Sequence, residues 1–386
     1  MTRFGLQIAL IVLFVFIARS SAIEQEQPTV ASKQGPPVVT VDWVPMDTFA
    51  TRQLDDYFTK QHKYRGFNGT VLVAQDGQIF KKAYGYQKLR GRDREPLSTT
   101  TAFQLASVSK PITAVAALQL IERGYMRLDD TLTCLLPDFP YPDVTVEQLL
   151  THRSGLPNYM YITDNNWSDH EQPMGMRDAY CILLDEQPHR YYRPGRTYDY
   201  SNTNYFLLAY LVEELTEQTF PAWVEEHIFT PADMQHSFVL NCGGYQTIPN
   251  VAIGSNVYRR SLPEYYLNSV YGDKSFFCSV EDLYKFDRAL REGLLLSEEM
   301  QTKAYKPYSR WNYLYRSYGY GWRVTKNESD ERIAFHTGWW RGYKTYFIRN
   351  LEQDEVLIVL SNSLRGGTFG VLELMRLWDT TQQPAV

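Results

Sequence analysis

The chain has 386 residues, of which 44% are hydrophobic and 22% charged, a balance typical of a folded globular protein. Its net charge is −5, and no run of lysine or arginine is longer than two residues. This charge pattern argues against a basic face that would bind nucleic acid or an acidic membrane. The length suits one large domain or two closely joined ones, with ample material for a core.

Residues 1–22 have the pattern of an export signal. Arg3 supplies the positive charge near the N-terminus, residues 4–17 form an apolar stretch, and the small residues at 20–22 are typical of a cleavage site. The apolar stretch is short for a bilayer span. We therefore predict an exported protein, periplasmic or secreted, without a stable membrane span after cleavage. The alternative is an uncleaved anchor.

The first predicted elements follow a loose leader over residues 23–44, which is rich in Gln, Pro and Ser at its start. A helix is predicted over residues 47–63, where apolar side chains recur at helical spacing. Two strand-like runs follow in "GTVLVAQDGQIFKKAYGY", joined by the Asp-Gly pair at 76–77, a hairpin signal. A strongly apolar helix is predicted over residues 107–123 and ends at Gly124.

The middle of the chain and its end differ in character. Residues 145–235 are predicted to form helical pieces between loops marked by proline and glycine, and Ser279 caps a further helix over 280–292. Three strand-like runs come late, "RIAFHTGW", "YKTYFIRN" and "DEVLIVLSN", before an apolar helix over 368–378. Strands at both ends with helices between them predict an α+β fold, with one sheet built from both ends, a helical lobe and a cleft between them.

Ser107 and Lys110 form an S-x-x-K motif at the start of the first apolar helix. A serine hydroxyl is a weak nucleophile unless a base activates it, and residues three apart lie on one face of a helix. The helix start adds N–H donors that suit a developing oxyanion. The lysine can act as a base only if desolvation or another cation lowers its pKa. Alone the motif is weak, because a capping serine followed by a solvated lysine has the same letters.

The second motif is Tyr200-Ser201-Asn202, between a Pro-Gly turn and an amphipathic helix. A tyrosine there can act as a general base or a proton relay if nearby cations lower its pKa. The Asn202 amide can bond both Lys110 and a substrate carbonyl. Without the serine motif, Tyr200 would be interpreted as an ordinary core tyrosine.

The third motif, His336-Thr337-Gly338, lies in a strand-like run. Gly338 permits close approach of another backbone, and the Trp339 N–H could bind a substrate carbonyl at a sheet edge. His336 and Thr337 could hold a substrate carboxylate or stabilise the proton relay. Alone, this stretch is an ordinary strand.

In this order, the three motifs resemble those of the β-lactamase-related serine hydrolases, in particular the branch of class C β-lactamases, serine D,D-peptidases and esterases. The segments "LLTHRSGLP", "PGRTYDYSNTNYFLLAYLVEE" and "GDKSFFCSVEDLYKFDRAL" are similar to the same branch. The resemblance covers roughly residues 45–378, before a tail over 379–386. It implies an antiparallel sheet flanked by helices, in a sheet lobe at about 45–105 and 320–378, with a helical lobe at about 125–300.

The resemblance also implies roles for the residues of the motifs. Ser107 would be the acylated nucleophile, Lys110 and Tyr200 would share the roles of base and relay, and Asn202 would orient them. The Ser107 and Trp339 N–H groups would form the oxyanion hole. Class C β-lactamases usually carry a lysine where His336 stands, and histidine is at most partly charged near neutral pH. Weaker carboxylate recognition and slower β-lactam turnover are therefore expected.

We accordingly predict an exported serine hydrolase that works through an acyl-enzyme on Ser107. Its substrate would be a D-amino-acid peptide, a β-lactam or a small ester. The alternative is a catalytically weak penicillin-binding or peptidoglycan-sensing module of the same fold. The expected partner is a small-molecule or peptide substrate, no cofactor is expected, and the oligomeric state stays open, with a monomer as the simplest expectation.

The sequence contains no specific pattern for a metal site or for a particular disulfide pairing. The seven histidines include no H-x-x-x-H or H-E-x-x-H spacing, so no metal site is expected. Four widely spaced cysteines allow three pairings, and the sequence does not choose among them. They are Cys134, Cys181, Cys242 and Cys278.

Overall fold

The computed structural model describes residues 37–92, 94–309 and 317–381, in which most helices lie between an early and a late group of strands. The strands are β1 (Val44–Pro45), β2 (Gly69–Gln75), β3 (Gln78–Tyr84), β4 (Phe103–Gln104), β5 (Phe238–Val239), β6 (Phe276–Cys278), β7 (Ser317–Tyr318), β8 (Arg323–Lys326), β9 (Arg332–Trp340), β10 (Tyr343–Asn350) and β11 (Glu355–Ser361). The α-helices are α1 (Thr48–Lys60), α2 (Ser109–Glu122), α3 (Leu132–Leu135), α4 (Val146–Leu150), α5 (Tyr159–Asn166), α6 (Met176–Glu186), α7 (Asn202–Thr216), α8 (Phe220–Val224), α9 (Val280–Arg291), α10 (Glu298–Ala304) and α11 (Val371–Thr381).

The main sheet joins the early and the late strands. Its order is β1-β3-β2-β11-β10-β9-β8-β7, and every neighbouring pair is antiparallel except β1 and β3. β2 and β11 meet near its centre, where Gly69 lies opposite Ser361 and Gln75 opposite Glu355. A small second sheet has the order β4-β6-β5. The predicted α+β fold, with an antiparallel sheet built from both ends of the chain, is confirmed.

Both faces of the main sheet are buried, which explains why β11 is apolar at nearly every position. Val356, Ile358 and Leu360 pack into the core shared with the helical middle of the chain. Leu357 and Val359 pack into a second core that includes residues of α1 and α11. Successive side chains of a strand point to opposite faces, so a strand covered on both sides needs apolar residues throughout.

Two hairpins of the sheet close through two-residue turns in the left-handed region. Asp76 and Gly77 have φ of 50° and 75° and join β2 to β3, while Arg341 and Gly342 have φ of 40° and 97° and join β9 to β10. Positive φ at both positions is the type I′ geometry, whose twist matches that of paired strands. The hairpin predicted at the Asp-Gly pair is therefore present.

Two buried helices bring distant parts of the chain together. Residues 109–120 of α2 and residues 203–212 of α7 are buried, and the two helices pack against each other. A single-turn 3-10 helix, Ala106–Val108, precedes α2. Lys110 in the first turn of α2 bonds to Asn202, the first residue of α7. The starts of the two helices therefore meet.

The other predicted helices are present with ends shifted by at most three residues. Those predicted over 47–63, 280–292 and 368–378 correspond to α1, α9 and α11. At α9 the Ser279 side chain accepts the Asp282 N–H (3.0 Å), as the capping pattern predicts.

The end of the predicted loose leader packs on the rest of the chain. Val39 is buried, and its N–H donates to the Pro231 carbonyl at 3.0 Å. The part of the chain that packs on the fold therefore includes residues before 44. The predicted export signal lies outside the described residues. Among the helices that are described, none is both long and apolar enough to cross a membrane.

All four cysteines lie in the described part of the chain, and each is a free thiol. Cys134 and Cys242 are exposed, whereas Cys278 is buried in β6. Burial raises the pKa of the Cys278 thiol, which keeps this side chain in its neutral form. Large apolar cores on both faces of the sheet stabilise the fold without a cross-link.

Candidate active site

The segment that carries Ser107 is strained and held from two sides. Ala106, just before the serine, has φ 51°, a conformation that residues with a Cβ rarely adopt. The Leu105 N–H donates to the Phe276 carbonyl (2.8 Å), and the Thr345 hydroxyl donates to the Leu105 carbonyl (2.6 Å). Strands β6 and β10 thus hold the chain at residue 105, and Ser107 is presented partly exposed before α2.

Lys110 is fully buried one turn after the serine. Its Nζ lies 3.2 Å from Ser107 Oγ, 2.8 Å from Asn202 Oδ1 and 2.9 Å from the main-chain oxygen of Asp273. Burial lowers its pKa to about 7, because the effect of burial, aided by Arg323, exceeds the opposing effect of the Asp273 carboxylate. A neutral amine has two N–H groups and one lone pair. The two carbonyl oxygens can take both N–H groups, which leaves the lone pair for the Ser107 proton.

Asn202 fills part of its predicted role. Its Oδ1 accepts from Lys110, and its Nδ2 contacts only the Met160 sulfur, at 3.4 Å, among the described residues. A sulfur is a weak acceptor, so the amide N–H groups stay available to a stronger one. Asn202 is half-buried.

The Tyr200 hydroxyl lies close to Ser107. It is shielded from solvent and forms no well-aligned hydrogen bond within the described residues, yet the nearby Ser107 hydroxyl lowers its pKa. Burial has the larger effect and raises the pKa of Tyr200 above its usual value. Lys110 Nζ lies 5.0 Å from the centre of the Tyr200 ring. The phenol is therefore protonated at neutral pH and can give a proton more readily than take one.

A buried histidine outside the predicted set holds Tyr200 in place. The His152 ring packs on the Tyr200 ring with centres 4.3 Å apart. Its Nδ1 accepts from the Ser201 N–H (3.2 Å) and the Asn204 amide (2.9 Å), and its carbonyl accepts from the Asp199 N–H (2.8 Å). Burial lowers the pKa of His152 well below its usual range, so the ring stays neutral and keeps both acceptor bonds. The "LLTHRSGLP" segment thus positions the Y-S-N motif.

Strand β9 approaches the Ser107 segment so closely that only glycine fits at position 338. A Cβ on Gly338 would lie 2.3 Å from the Leu105 oxygen, 3.0 Å from the Ala106 Cβ and 2.2 Å from Thr345 Oγ1. The distances to the Leu105 oxygen and to Thr345 Oγ1 are far below van der Waals contact, and the Leu105 oxygen is a backbone atom. Gly338 therefore permits the close approach of β9 to the segment that carries Ser107.

The Trp339 N–H lies on an unpaired edge of β9. The two-residue turn after β9 makes Trp340 and Tyr343 the closing hydrogen-bonded pair of the hairpin. Because hydrogen-bonded positions alternate, Trp339 turns its N–H away from β10, and the pairing of β8 on that other side ends at Phe335. The first turn of a helix also leaves N–H groups free, as at Ser107. The two N–H groups can together bind an oxyanion.

Gly338→Ala is expected to destabilise the protein by about 2–4 kcal/mol and to slow any reaction of Ser107 by at least about 100-fold, because β9 must move away from the serine segment. Gly370→Ala is the control, since its Cβ would meet nothing closer than 3.6 Å. Urea unfolding and the labelling rate with a fluorophosphonate probe measure both effects. Equal behaviour of the two variants would contradict the close fit.

His336 does not have the predicted substrate-binding placement. Its ring is fully buried, Nδ1 donates to the Thr337 carbonyl (2.9 Å), and Nε2 accepts from the Tyr318 hydroxyl (3.1 Å). Burial, together with the Arg323 and Lys110 charges, lowers its pKa well below the usual range. A neutral, buried ring with both nitrogens bonded cannot hold a substrate carboxylate. The Tyr318 hydroxyl, in the short strand β7, thus holds one side of the His336 ring.

A cation near the site is Arg323 in β8. The guanidinium carbon lies 5.5 Å from the centre of the Tyr200 ring. The side chain forms no ion pair within the described residues, and its buried Nε has no hydrogen-bond partner there. Its charge lowers the pKa of Lys110, Tyr200 and His336. Arg323 belongs to no motif, and no pattern in the sequence singles it out.

The assembled groups suit attack on a carbonyl carbon. Lys110 is bonded to Ser107 and Asn202, the Tyr200 hydroxyl lies close to Ser107, and Gly338 lets β9 approach the serine segment. A hydroxyl beside an amine of lowered pKa is an activated nucleophile, and two convergent N–H donors stabilise an oxyanion. The described residues contain no group of three or more His, Cys, Asp or Glu side chains that could hold a metal ion.

Comparison with known proteins agrees with this chemistry at the level of the family. The family model described as Beta-lactamase matches residues 53–382. Penicillin-binding protein 4* of Bacillus subtilis (strain 168) is 33% identical over 325 residues, which are 81% of this chain and 71% of that protein.

Two solved structures show the same fold at lower identity. A penicillin binding protein from Bacillus halodurans superposes with a TM-score of 0.71 and 23% identity, over 85% of this chain and 98% of that one. The D-amino acid amidase from Ochrobactrum anthropi SV3 gives 0.67 and 22%, over 86% and 97%. The resemblance seen in the three motifs is thus confirmed, and the chain belongs to the Beta-lactamase family of serine hydrolases.

Proposed function

We propose that the protein is a serine hydrolase that acts by acyl transfer through Ser107. The main support is the buried Lys110 amine, with a pKa lowered to about 7, at 3.2 Å from the Ser107 hydroxyl. An amine with this pKa is partly neutral at physiological pH and can accept the serine proton during attack. Export is part of the proposal and rests on the pattern in residues 1–22.

In the proposed reaction, Ser107 Oγ bonds to the substrate carbonyl carbon while its proton passes to Lys110. The carbonyl electrons move onto oxygen, where the N–H groups of Ser107 and Trp339 bind it. When the tetrahedral intermediate collapses, the bond to the leaving group breaks and Tyr200 protonates that group. Lys110 then returns its proton to Tyr200. Water attacks the acyl-enzyme in the same way and frees Ser107.

The opposite pKa shifts of Lys110 and Tyr200 favour this division of roles. The lysine, with a pKa of about 7, is the better proton acceptor in the resting protein. The tyrosine, with its pKa raised by burial, carries its proton at neutral pH, and any tyrosinate formed when it protonates a leaving amine takes a proton back from the more acidic Lys110 ammonium. Asn202, bonded to Lys110, would orient both the base and the substrate.

We further propose that the substrate has a free carboxylate near the scissile bond, as in a peptide that ends in a D-amino acid. The support is Arg323, a cation beside Tyr200 without a carboxylate partner in the described structure. A guanidinium can bind a carboxylate through two parallel N–H bonds. The relatives' names, penicillin-binding protein and D-amino acid amidase, also indicate lactam and D-configured amide substrates.

The test is a substrate panel followed by intact-mass spectrometry. The purified protein is exposed to a penicillin, to a peptide ending in D-alanine, to the same peptide with its carboxylate amidated, and to a short acyl ester. We expect a Ser107 adduct and faster hydrolysis of the free acid than of the capped peptide. An adduct that never turns over would indicate a binding module, and activity on the ester alone would indicate an esterase.

Arg323→Gln is expected to raise KM for the free-acid peptide by about 10–100-fold, since a charge-assisted hydrogen bond is worth about 1.5–3 kcal/mol. The capped peptide serves as the control, because it has no carboxylate to lose. Steady-state kinetics on both substrates give the answer. An equal loss on the two peptides would show that Arg323 does not recognise the carboxylate.

A further inference from the structure

A second buried lysine, Lys274, lies beside the site and has no part in the proposed reaction. Its side chain is 3% exposed. Its ammonium donates to the Tyr159 hydroxyl and to the Val270 carbonyl (3.2 Å), and lies 3.3 Å from the Asp273 carboxylate. Lysine is almost never fully buried unless it is paired. The position of this pair relative to Lys110 suggests what it does.

Asp273 connects this pair to Lys110. Its main-chain oxygen accepts from Lys110 Nζ (2.9 Å), and its carboxylate accepts from the Tyr159 hydroxyl (3.1 Å) and pairs with Lys274. One residue is therefore bonded to both buried lysines, to one through its backbone and to the other through its side chain. The cluster of Tyr159, Asp273 and Lys274 fixes the carbonyl to which Lys110 donates.

The charges around Lys110 oppose one another. The Asp273 carboxylate raises the pKa of Lys110 and so favours its protonated form, whereas burial and Arg323 lower it. Burial lowers the pKa of Lys274 to about 8, with Asp273 acting in the opposite direction. The Lys110 charge also lowers the pKa of Lys274, which stays above that of Lys110, so Lys274 is the more fully protonated of the two lysines near pH 7.

The remaining titratable groups that face the two lysines are neutral near pH 7, because burial opposes their ionisation. They are Tyr200 and Tyr205, with ring centres 5.0 and 5.7 Å from Lys110 Nζ, the buried His152 and His336, and Tyr159 beside Lys274. Among the described residues, the charges that shift the pKa of Lys110 are those of Asp273 and Arg323, and Lys274 is paired with the Asp273 carboxylate.

We propose that Lys274 is a positioning residue for the base: as counter-ion of Asp273, it holds that residue's carbonyl on Lys110 and cancels the carboxylate charge that would keep Lys110 protonated. This inference rests on the proposed function, since it takes Lys110 as the base. It assigns a use to a buried ion pair that would otherwise be costly to desolvate. It also explains why an acidic residue can lie beside a lysine that must give up its proton.

The test uses two variants with opposite expected effects on the pH profile of Ser107 labelling by a fluorophosphonate probe. Lys274→Met leaves the Asp273 carboxylate uncompensated, so the acid limb should move up by about one pH unit, an approximately 5-fold loss at pH 7. Asp273→Asn leaves the Lys274 charge uncompensated, so the limb should move down by about one unit, an approximately 5-fold gain at pH 6. The rates above pH 9 should change little.

The double variant Asp273→Asn/Lys274→Met removes both charges and should return the limb close to the wild-type position. Lys285→Met is the matched control, because Lys285 is also a partly buried lysine in an ion pair, with Asp233. Shifts in the same direction, or no shift in either single variant, would overturn the inference while leaving the proposed function intact. A wild-type protein that is never labelled at Ser107 would instead overturn the proposed function.

Discussion

Replacing Ser107 by alanine is expected to abolish covalent labelling and to lower the hydrolysis rate by about 10,000-fold or more, because among the described residues no other hydroxyl at the site is both exposed and in contact with Lys110. Ser107 Oγ is the atom to which Lys110 Nζ is bonded at 3.2 Å. Intact-mass spectrometry after exposure to a fluorophosphonate and to a penicillin measures the adduct, and steady-state assays measure the rate.

The chain offers a matched control two residues away. Ser109 is buried in the first turn of α2, and its hydroxyl accepts only the Phe276 N–H, at 3.4 Å, among the described residues. Ser109→Ala should therefore label at close to the wild-type rate and cost at most about 1 kcal/mol of stability. Labelling of the Ser107→Ala protein at an unchanged rate would refute the assignment of the nucleophile.

Replacing Lys110 by methionine is expected to slow acylation of Ser107 by about 1,000-fold, the range typical of losing a positioned general base. Methionine keeps the length and the apolar stem of the side chain but has no amine to accept the serine proton. Single-turnover labelling kinetics at pH 8, where most of the wild-type lysine is neutral, measure the effect. A loss smaller than about 10-fold would indicate that another group takes the proton.

The Lys110→Met variant also allows the protonation state of Lys110 to be measured, through the free energy of unfolding. The pKa of Lys110 falls from 10.5 to about 7 on folding, so between these values the unfolded chain binds one more proton than the folded one. The free energy of unfolding must then rise with pH by up to about 1.4 kcal/mol per unit. From pH 7.5 to 9.5 the wild type should gain about 2 kcal/mol relative to Lys110→Met.

Urea unfolding of the wild type and of Lys110→Met at pH 7.5 and 9.5 measures how the difference in their free energies of unfolding changes with pH. Lys274 titrates in both proteins, and Lys110→Met also removes the charge that helps to lower the pKa of Lys274. A constant difference between the wild type and the variant would mean that Lys110 stays charged in the folded state, and the proposed base would then lack its lone pair.

The features that the sequence predicts well depend on neighbours close along the chain. The Asp76-Gly77 turn is specified by the two residues that must adopt positive φ. The contact of Ser107 with Lys110 follows from the geometry of a helical turn, whatever the rest of the fold does. Strand β11 is recognisable because burial on both faces demands a nearly unbroken apolar run.

The features that the sequence does not reveal depend on contacts between distant segments. Asp273 bonds Lys110 through its main-chain oxygen, and every residue type has one, so no pattern marks the position. Arg323 lies in the short strand β8, which contains no recognisable motif. His336 lies in a recognisable motif, but its burial and its bond to Tyr318 arise only when β7 and β9 come together in one sheet.

The pairing of β2 with β11 has a consequence for the order of events during synthesis. Residues 69–75 find their partner only when residues 355–361 have been made, and β9 has to be in place beside the serine segment before an oxyanion can be bound. Long-range antiparallel pairing of this kind slows folding and delays it until late in translation. For most of its elongation, a ribosome-bound chain therefore has Ser107 without β9 beside it, and its nucleophile is inactive.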